Sequence, residues 1–598
     1  MGKLLITNSP EWDGMLRKLF ADSGFRESAH TECGSARVTA WKKLCVDNCN
    51  WYSCGDDFAA CAGTLIYREN FGEDALRMLY EDSRTMSVTE LRKNLIGNYV
   101  VAVKNGDVIR VFVDETHTYK FYYYIDGGKY ILTSTFYHVE KCAKQPLHDD
   151  AFLEWLTRPF TTMSRQTPYC NVYKLCAREY FRINLADGTY SVETCPLNDY
   201  HRKFASREEA LDALFEEAKR ISALRSKFIH SHRIFLTGGL DSRLEYAMHL
   251  YNHDNVDVAY WRSSYETTVT NGTQNDWEIV RKLADTGGGG VKAELIDITE
   301  PIEETFGYDI RPKCSKYGEY AGIYSFNKKW LPILENAKTE GLTLGIFGEA
   351  LRTLESIDIF YKSPYSMRDM IRDVYCNFGV EKKCLHSDTL YDFIEGEMQL
   401  LANGMDIENL TRDDIFRLFT YSRFEANVII YGLLNMFTYS FPVFSQKVFA
   451  DANFSIPYEW REGDYFSLSL TKKFCPKLLE VPFFSHNHRV IYDPETNRVK
   501  AEAEYTLRRD VRLKVVNTHP LLFKILRGIY RAVRFIRGGE EISKQNNEQK
   551  ISRISEKMIR ESPTILRSKL KPIDNMPAQY AIASIAAAIK VEDTLTDD

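Results

Sequence analysis

The sequence lacks a fixed-period repeat, a Walker A string and any strong excess of charge. Its 598 residues carry 77 basic against 83 acidic side chains, a net charge of −6. That near balance argues against a whole-chain nucleic-acid binder. The 13 cysteines show no paired CxxC spacing; Cys45, Cys49, Cys54 and Cys61 cluster without it. Buried thiols on strands, in a reducing cytoplasmic setting, are expected instead of a structural zinc site. The first fourteen residues contain no sustained apolar segment, so no signal peptide is read there. Ile6 stands where a myristoylation signal needs Ser or Thr. Residues 426–446 carry no formal charge, but Asn427, Asn435, Thr438, Ser440 and Pro442 interrupt them, and Arg423 and Glu425 flank them. A buried helix running into a loop is expected there, not a membrane span.

What is present is globular: 44% hydrophobic, 27% charged and 13% aromatic residues, enough for two to four domains with large cores. The first two hundred residues read as antiparallel hairpins. Residues 98–103 and 108–113 flank Asn105-Gly106-Asp107. Residues 121–125 and 130–133 flank a second turn, and 180–185 and 189–192 a third. Helical spacing is confined to 73–80 and 149–156. Near 205 the character changes. Ser206 and Glu209 form a capping-box pair before a periodic helix. Short apolar strands at 233–236, 255–261, 291–298 and 342–347 then alternate with helices at 241–251 and 276–284. This rhythm predicts a parallel sheet with helices on its faces. Beyond about 365 the chain reads as helical. The expected division is 1–203, 204–515 and a third segment, 516–598. That segment holds a basic amphipathic helix, 521–537, suited to an acidic partner or a membrane surface.

The strongest chemical signal is Thr237-Gly238-Gly239-Leu240-Asp241-Ser242, between a strand and a helix. Paired glycines allow close backbone approach, and a helix N-terminus favours anions. Thr237 and Ser242 offer hydroxyls, and Asp241 a metal ligand. Together they predict a pyrophosphate pocket. Other candidates are weaker. His230 and His232 read as surface residues at a strand start, with a metal pair as the alternative. Gly287 to Gly290 read as a helix C-cap and turn. Arg243 is left open between a ligand contact and a surface pair.

The hexapeptide resembles the SGGLDS loop of asparagine synthetase-like ATP pyrophosphatases, with Thr for the first Ser. Gly97-Asn98-Tyr99, Val113-Asp114, Phe121 to Tyr124 and Leu132-Thr133-Ser134 resemble the family's N-terminal run. Asn275 to Val280 resembles its acid-bearing helix, and Leu344 to Glu349 its "GxxGDE" turn. Residues 423–442 and 456–482 resemble its helical C-terminal lobe. The resemblance covers roughly 50–485. It implies an N-terminal Ntn-hydrolase-like antiparallel sandwich with helices. An adenine-nucleotide α-hydrolase-like parallel sheet and a helical lobe would follow.

The function it implies is an AMP-forming amide ligase. A small-molecule or peptide carboxylate attacks the α-phosphorus of ATP, and ammonia or an amine then displaces AMP. Leu236 to Ser242, Tyr260 and Gly348 would bind ATP. Asp241 and Glu349 would hold magnesium, an alternative register placing Arg352 at the second position. Departures bear on this. Gly2 stands where the glutaminase nucleophile would be Cys, and no "RGPD" motif is found, so glutamine hydrolysis is not expected. Asp464 falls near the position of a catalytic lysine, which leaves Lys472 or Lys473 to serve with Asp241. The alternative is a degenerate, non-catalytic scaffold or binding protein of the same type.

Overall fold

The computed structural model describes residues 2–157, 163–262, 273–288, 291–297, 316–317, 331–354, 357–358, 361–376, 387–402, 404–426, 429–485 and 488–501. Segment 516–598, with its basic stretch 521–537, lies outside them, as do Gly289 and Gly290.

The N-terminal part comprises β1 (Lys3–Thr7), α1 (Pro10–Asp22), β2 (Glu27–Cys33), β3 (Ala36–Trp41), β4 (Trp51–Cys54), β5 (Asp57–Tyr67) and β6 (Asn70–Phe71). It continues through α2 (Gly72–Ser83), α3 (Val88–Arg92), β7 (Leu95–Asn105), β8 (Val108–Val113), β9 (Tyr122–Asp126) and β10 (Lys129–Thr133). It ends with α4 (Phe136–Ala143), α5 (Asp149–Thr157), β11 (Val172–Lys174), β12 (Glu179–Asn184) and β13 (Tyr190–Thr194). One antiparallel sheet has the order β11-β9-β10-β1-β3-β2; the second runs β13-β12-β8-β7-β5-β4, with β6 on β5. All three expected hairpins form, at β7/β8, β9/β10 and β12/β13.

Two-residue alternation builds the layers. Ile6, Val38 and Leu132 of one sheet meet Ala60, Val100 and Val111 of the other. On the far side of the second sheet, Cys61 and Val101 pack with Leu76 and Leu79 of α2 and Leu91 of α3. Outside the first sheet, Leu5 and Ile131 join Leu16 and Phe20 of α1 and Phe136 of α4. The layering is therefore helix, sheet, sheet, helix. α1 escapes a periodicity reading, yet its start is written locally: the Ser9 side chain accepts from the Trp12 amide, and Pro10 opens the helix. Of the four clustered cysteines only Cys61 is fully buried; Cys49 and Cys54 are exposed, contrary to expectation. Both sit outside the packed strand centres.

The second part opens with α6 (Arg207–Phe228). Ser206 Oγ accepts from the Glu209 amide at 3.1 Å, but the Glu209 carboxylate takes the Ala205 amide instead of closing the box. Next come β14 (Ser231–Phe235), α7 (Leu240–Tyr251), β15 (Asn255–Arg262), β16 (Glu294–Asp297) and β17 (Gly341–Leu344). These four strands are parallel, in the order β16-β15-β14-β17. β15 flanks β14 on one side and β17, reached after β16, on the other, so the carboxyl ends of β14 and β17 form the topological switch point of the sheet. Helices Arg412–Ala426, Ile429–Phe437, Lys447–Phe454 and Tyr465–Phe474 form the helical lobe. The charge-free stretch is thus a short helix followed by a loop. Among the described residues no helix is long and apolar enough to cross a membrane. A three-stranded antiparallel sheet, β18 (Phe483–Ser485), β19 (His488–Asp493) and β20 (Arg498–Ala501), replaces the helix expected there.

The two parts share buried polar contacts. Lys43 Nζ donates to the Asn435 carbonyl at 2.7 Å, to Asn435 Oδ1 at 3.0 Å and to the Thr438 carbonyl at 2.6 Å. Thr64 donates to Asn435 Oδ1, and the Gly97 amide to Gln446 Oε1. Burial pushes the Lys43 ammonium well below the usual lysine range.

Candidate functional site

The loop 236–239 lies at the carboxyl end of β14, at the switch point of the sheet. The Leu236 amide donates to the Ala259 carbonyl at 2.8 Å, tying the loop to β15. Ser242 Oγ accepts from the Thr237 amide at 3.0 Å and lies 2.9 Å from Thr237 Oγ1; that hydroxyl accepts from the Gly239 amide. These hydroxyls therefore hold the loop closed on itself. What remains is the start of α7, which has Gly239 before it and no side-chain cap. Such an N-terminus carries partial positive charge and unsatisfied amides. Leu240 is buried against Leu468, Leu479 and Phe483, so it anchors the loop from below. The Tyr260 ring is also buried, stacked on Trp277, leaving only its backbone at the strand end.

Two buried residues brace the loop from behind. Arg243 donates to the carbonyls of Leu478, Val481 and Pro482 and stacks on Phe483, 3.8 Å from the ring centroid. It is neither a surface pair nor a ligand contact; burial pushes its guanidinium down to about 9. Asp276, on the helix Thr273–Gly287, faces the Gly238 amide and Arg243; burial raises its carboxyl to about 6. That helix ends as expected, with Gly288 at φ +84.

The turn after β17 meets the loop directly. A Cβ on Gly345 would lie 2.3 Å from Ser242 Cα, and one on Gly348 would lie 2.6 Å from Asp241 Cβ. Glycine at both positions lets the turn Gly348–Leu351 ride on the first turn of α7. Phe347 before it has φ +76, a strained conformation for a bulky residue. The turn is a 3-10 helix that ends at Leu351, and Arg352, extended at φ −132, follows it as the C-cap. Arg352 Nη2 donates to Asp241 Oδ2 at 2.8 Å. Glu349 instead accepts from Arg423 at 3.0 Å. Arg352, and not the expected Glu349, therefore occupies the place beside Asp241.

Burial raises the Asp241 carboxyl to about 6, Arg352 opposing and Glu349 and Asp464 adding to the rise. Asp241, then Asp464 and Glu349, hold the Arg352 guanidinium above its ordinary value despite burial. Asp464, buried and left-handed at φ +58, precedes the helix Tyr465–Phe474. This helix runs along α7: Asp464 faces Asp241, and Phe474 packs on Tyr251 at the other end. Lys473 pairs with Asp212 of α6 at 2.9 Å, and Lys472 is exposed beside it. At 1.5 Å per residue both lie about 12 to 15 Å along the helix from the loop. The structure does not bring them to Asp241.

The fit of magnesium follows from the donors. Asp241 Oδ1 is buried without a partner, one open oxygen. An ion placed on it would sit within a few ångströms of the Arg352 charge, and Glu349 is already held by Arg423. The expected pair of carboxylates therefore does not fit magnesium in this arrangement. The metal-competent clusters among the described residues are elsewhere, at His232–His249–Asp254 and at Asp199–His201–Asp451. His232 is buried, not on the surface, with its ring centroid 4.5 Å from that of His249.

No family model matches the chain, and no curated protein matches it. Among solved structures, it is similar to a glutamine phosphoribosylpyrophosphate amidotransferase from B. subtilis complexed with ADP and GMP. The identity is 10% and the TM-score 0.24, covering 50% of this chain and 82% of that one. A second structure, titled as the allosteric regulatory enzyme of purine biosynthesis, gives 9% identity and a TM-score of 0.24. It covers 57% of this chain and 89% of that one. Similarity at this level assigns neither fold nor activity.

Proposed function

We propose that this chain binds ATP at the loop 236–242 and belongs with the asparagine synthetase-like, AMP-forming amide ligases, without glutamine hydrolysis. The observation that carries the reading is the start of α7, preceded by two glycines and without a side-chain cap, at the switch point of a parallel sheet. An ATP pyrophosphate would lie on the α7 amides, with adenosine against the backbone of Leu236 and Tyr260. A carboxylate oxygen of a small molecule or peptide would attack the α-phosphorus, and pyrophosphate would leave. Ammonia or an amine would then attack the acyl carbon and release AMP. The residues of the site position the reactants and neutralise charge on the leaving group. Gly2 supports the missing glutaminase step: it has no side chain, and a Cβ there would lie 2.3 Å from the Lys42 carbonyl oxygen. In this reading the N-terminal layers are an Ntn-hydrolase-like scaffold, and the compartment is cytoplasmic. Residues 521–537 remain a proposed contact for an acidic partner or membrane surface.

A second reading, a non-catalytic nucleotide-binding scaffold, is favoured by one observation: Lys472 and Lys473 point away from the loop, and Asp464 stands near it. Calorimetric titration with ATP, followed by a screen for AMP release with mixed carboxylates and amines, separates the two. Binding with AMP release supports the ligase. Binding without AMP release in any mixture supports the scaffold. No binding by the folded chain sinks both.

A further inference from the structure

We infer that Arg352 stands where a divalent cation would, so that this loop binds a pyrophosphate-bearing ligand without metal. This rests on the nucleotide reading above and narrows it. Four observations meet at one place. Arg352 Nη2 is 2.8 Å from Asp241 Oδ2, which fixes the guanidinium beside the first turn of α7. Its Nε is buried with no acceptor, a donor left over at the site. The α7 N-terminus next to it carries no side-chain cap. Gly345 and Gly348 permit the close approach that brings the turn there, and any larger residue would push it off.

The chemistry of the group suits the role. A guanidinium stays charged at all working pH values and offers five donors in a planar fork that matches phosphate oxygens. Nη2 is spent on Asp241 and Nε is buried, so the remaining terminal donors are the ones that would meet a ligand on the α7 amides. Asp241 thereby becomes a positioning residue for Arg352, not a metal ligand. The pair presents a fixed cation to developing negative charge, as a metal ion does in related chemistry. Arg423, paired with Glu349, places a second guanidinium on the same turn.

The test is calorimetric titration of the full chain with inorganic pyrophosphate and with ATP, each in EDTA and in excess magnesium. Wild-type affinity in EDTA is expected within about threefold of that in magnesium. Arg352→Ala is expected to lose about tenfold or more in EDTA, the loss of a charge-assisted contact. Magnesium should restore part of that loss, because Asp241 is freed. Arg352→Lys keeps the charge and should fall between the two; it carries the test if the alanine variant does not fold. Wild-type binding that requires magnesium overturns this inference and leaves the nucleotide reading intact. Unchanged EDTA affinity in a folded Arg352→Ala overturns it too. No binding of either probe, with or without magnesium, removes the nucleotide reading together with the inference.

Discussion

Arg461 Nη1 donates to the Ala350 carbonyl at 2.8 Å, and Asn453 Nδ2 donates to the same oxygen at 2.9 Å. The turn that delivers Arg352 is therefore held from below by a fully buried cation. Arg461 also bonds Asn453 Oδ1 and the Asn453 and Ile456 carbonyls, and burial lowers its guanidinium to about 9. Arg461→Met should leave Asn453 Oδ1 and the Ile456 carbonyl without this donor, while the Ala350 and Asn453 carbonyls keep one partner each. An expected loss of about 3 kcal/mol is readable in urea denaturation, since orphaned buried acceptors cost more than the bond itself. A change below about 0.5 kcal/mol would show that the brace carries no strain-bearing role.

Gly345→Ala places a methyl against the Ser242 backbone, which cannot rotate away. The turn must shift instead. Stability should fall by about 1–3 kcal/mol, the usual range for overpacking. Pyrophosphate binding should weaken more than stability alone explains, because Arg352 moves with the turn. A binding isotherm equal to wild type, on a protein shown folded, contradicts the close-approach argument.

Asp276 gives a pH signature. Burial raises its carboxyl to about 6 in the folded chain, above the unfolded value near 4. The folded state thus holds the proton more tightly. The stabilisation is full below pH 4 and is lost as pH rises from about 4 to about 6. Two units correspond to roughly 3 kcal/mol at most. Asp276→Asn should flatten that part of the stability–pH curve. Parallel curves for wild type and variant would show that the folded-state shift is absent.

Gly2→Cys should not create glutamine hydrolysis. The added Cβ would meet the Lys42 carbonyl oxygen at 2.3 Å, so the strand must move. Ammonia release from glutamine is expected at background, with stability lowered by about 1–3 kcal/mol. Glutamine turnover above background would overturn the reading of the N-terminal layers as inert.

How much of this was legible follows from range. The loop 237–242 was readable because its signals are local: two glycines, a strand before and a helix start after. The hairpins at Asn105-Gly106 and Asp126-Gly127 were readable for the same reason. Arg352 enters the sequence reading only as an alternative register, because which of 349 and 352 meets Asp241 turns on a local turn geometry that composition does not announce. The left-handed Phe347 before that turn has no sequence signature. Sequence alone does not show the burial of Arg243 and His232, because their neighbours, residues 478–483 and His249, are distant in sequence or on another element. The strand pairs of β18 to β20 lack a strong period-two pattern and were read as helix.

The Lys43–Asn435 contact carries a last consequence. A buried ammonium spans from the sheet sandwich to the carbonyls of the helical lobe, with Thr64 and the Gly97 amide beside it. Neither half can keep this network alone: separated, one exposes a lysine cavity and the other a set of unpaired acceptors. The two halves are therefore expected to unfold together, in a single transition that calorimetry can check. The N-terminal sandwich then matters to the stability of the second part whatever chemistry it carries, because it supplies the counterpart of these contacts.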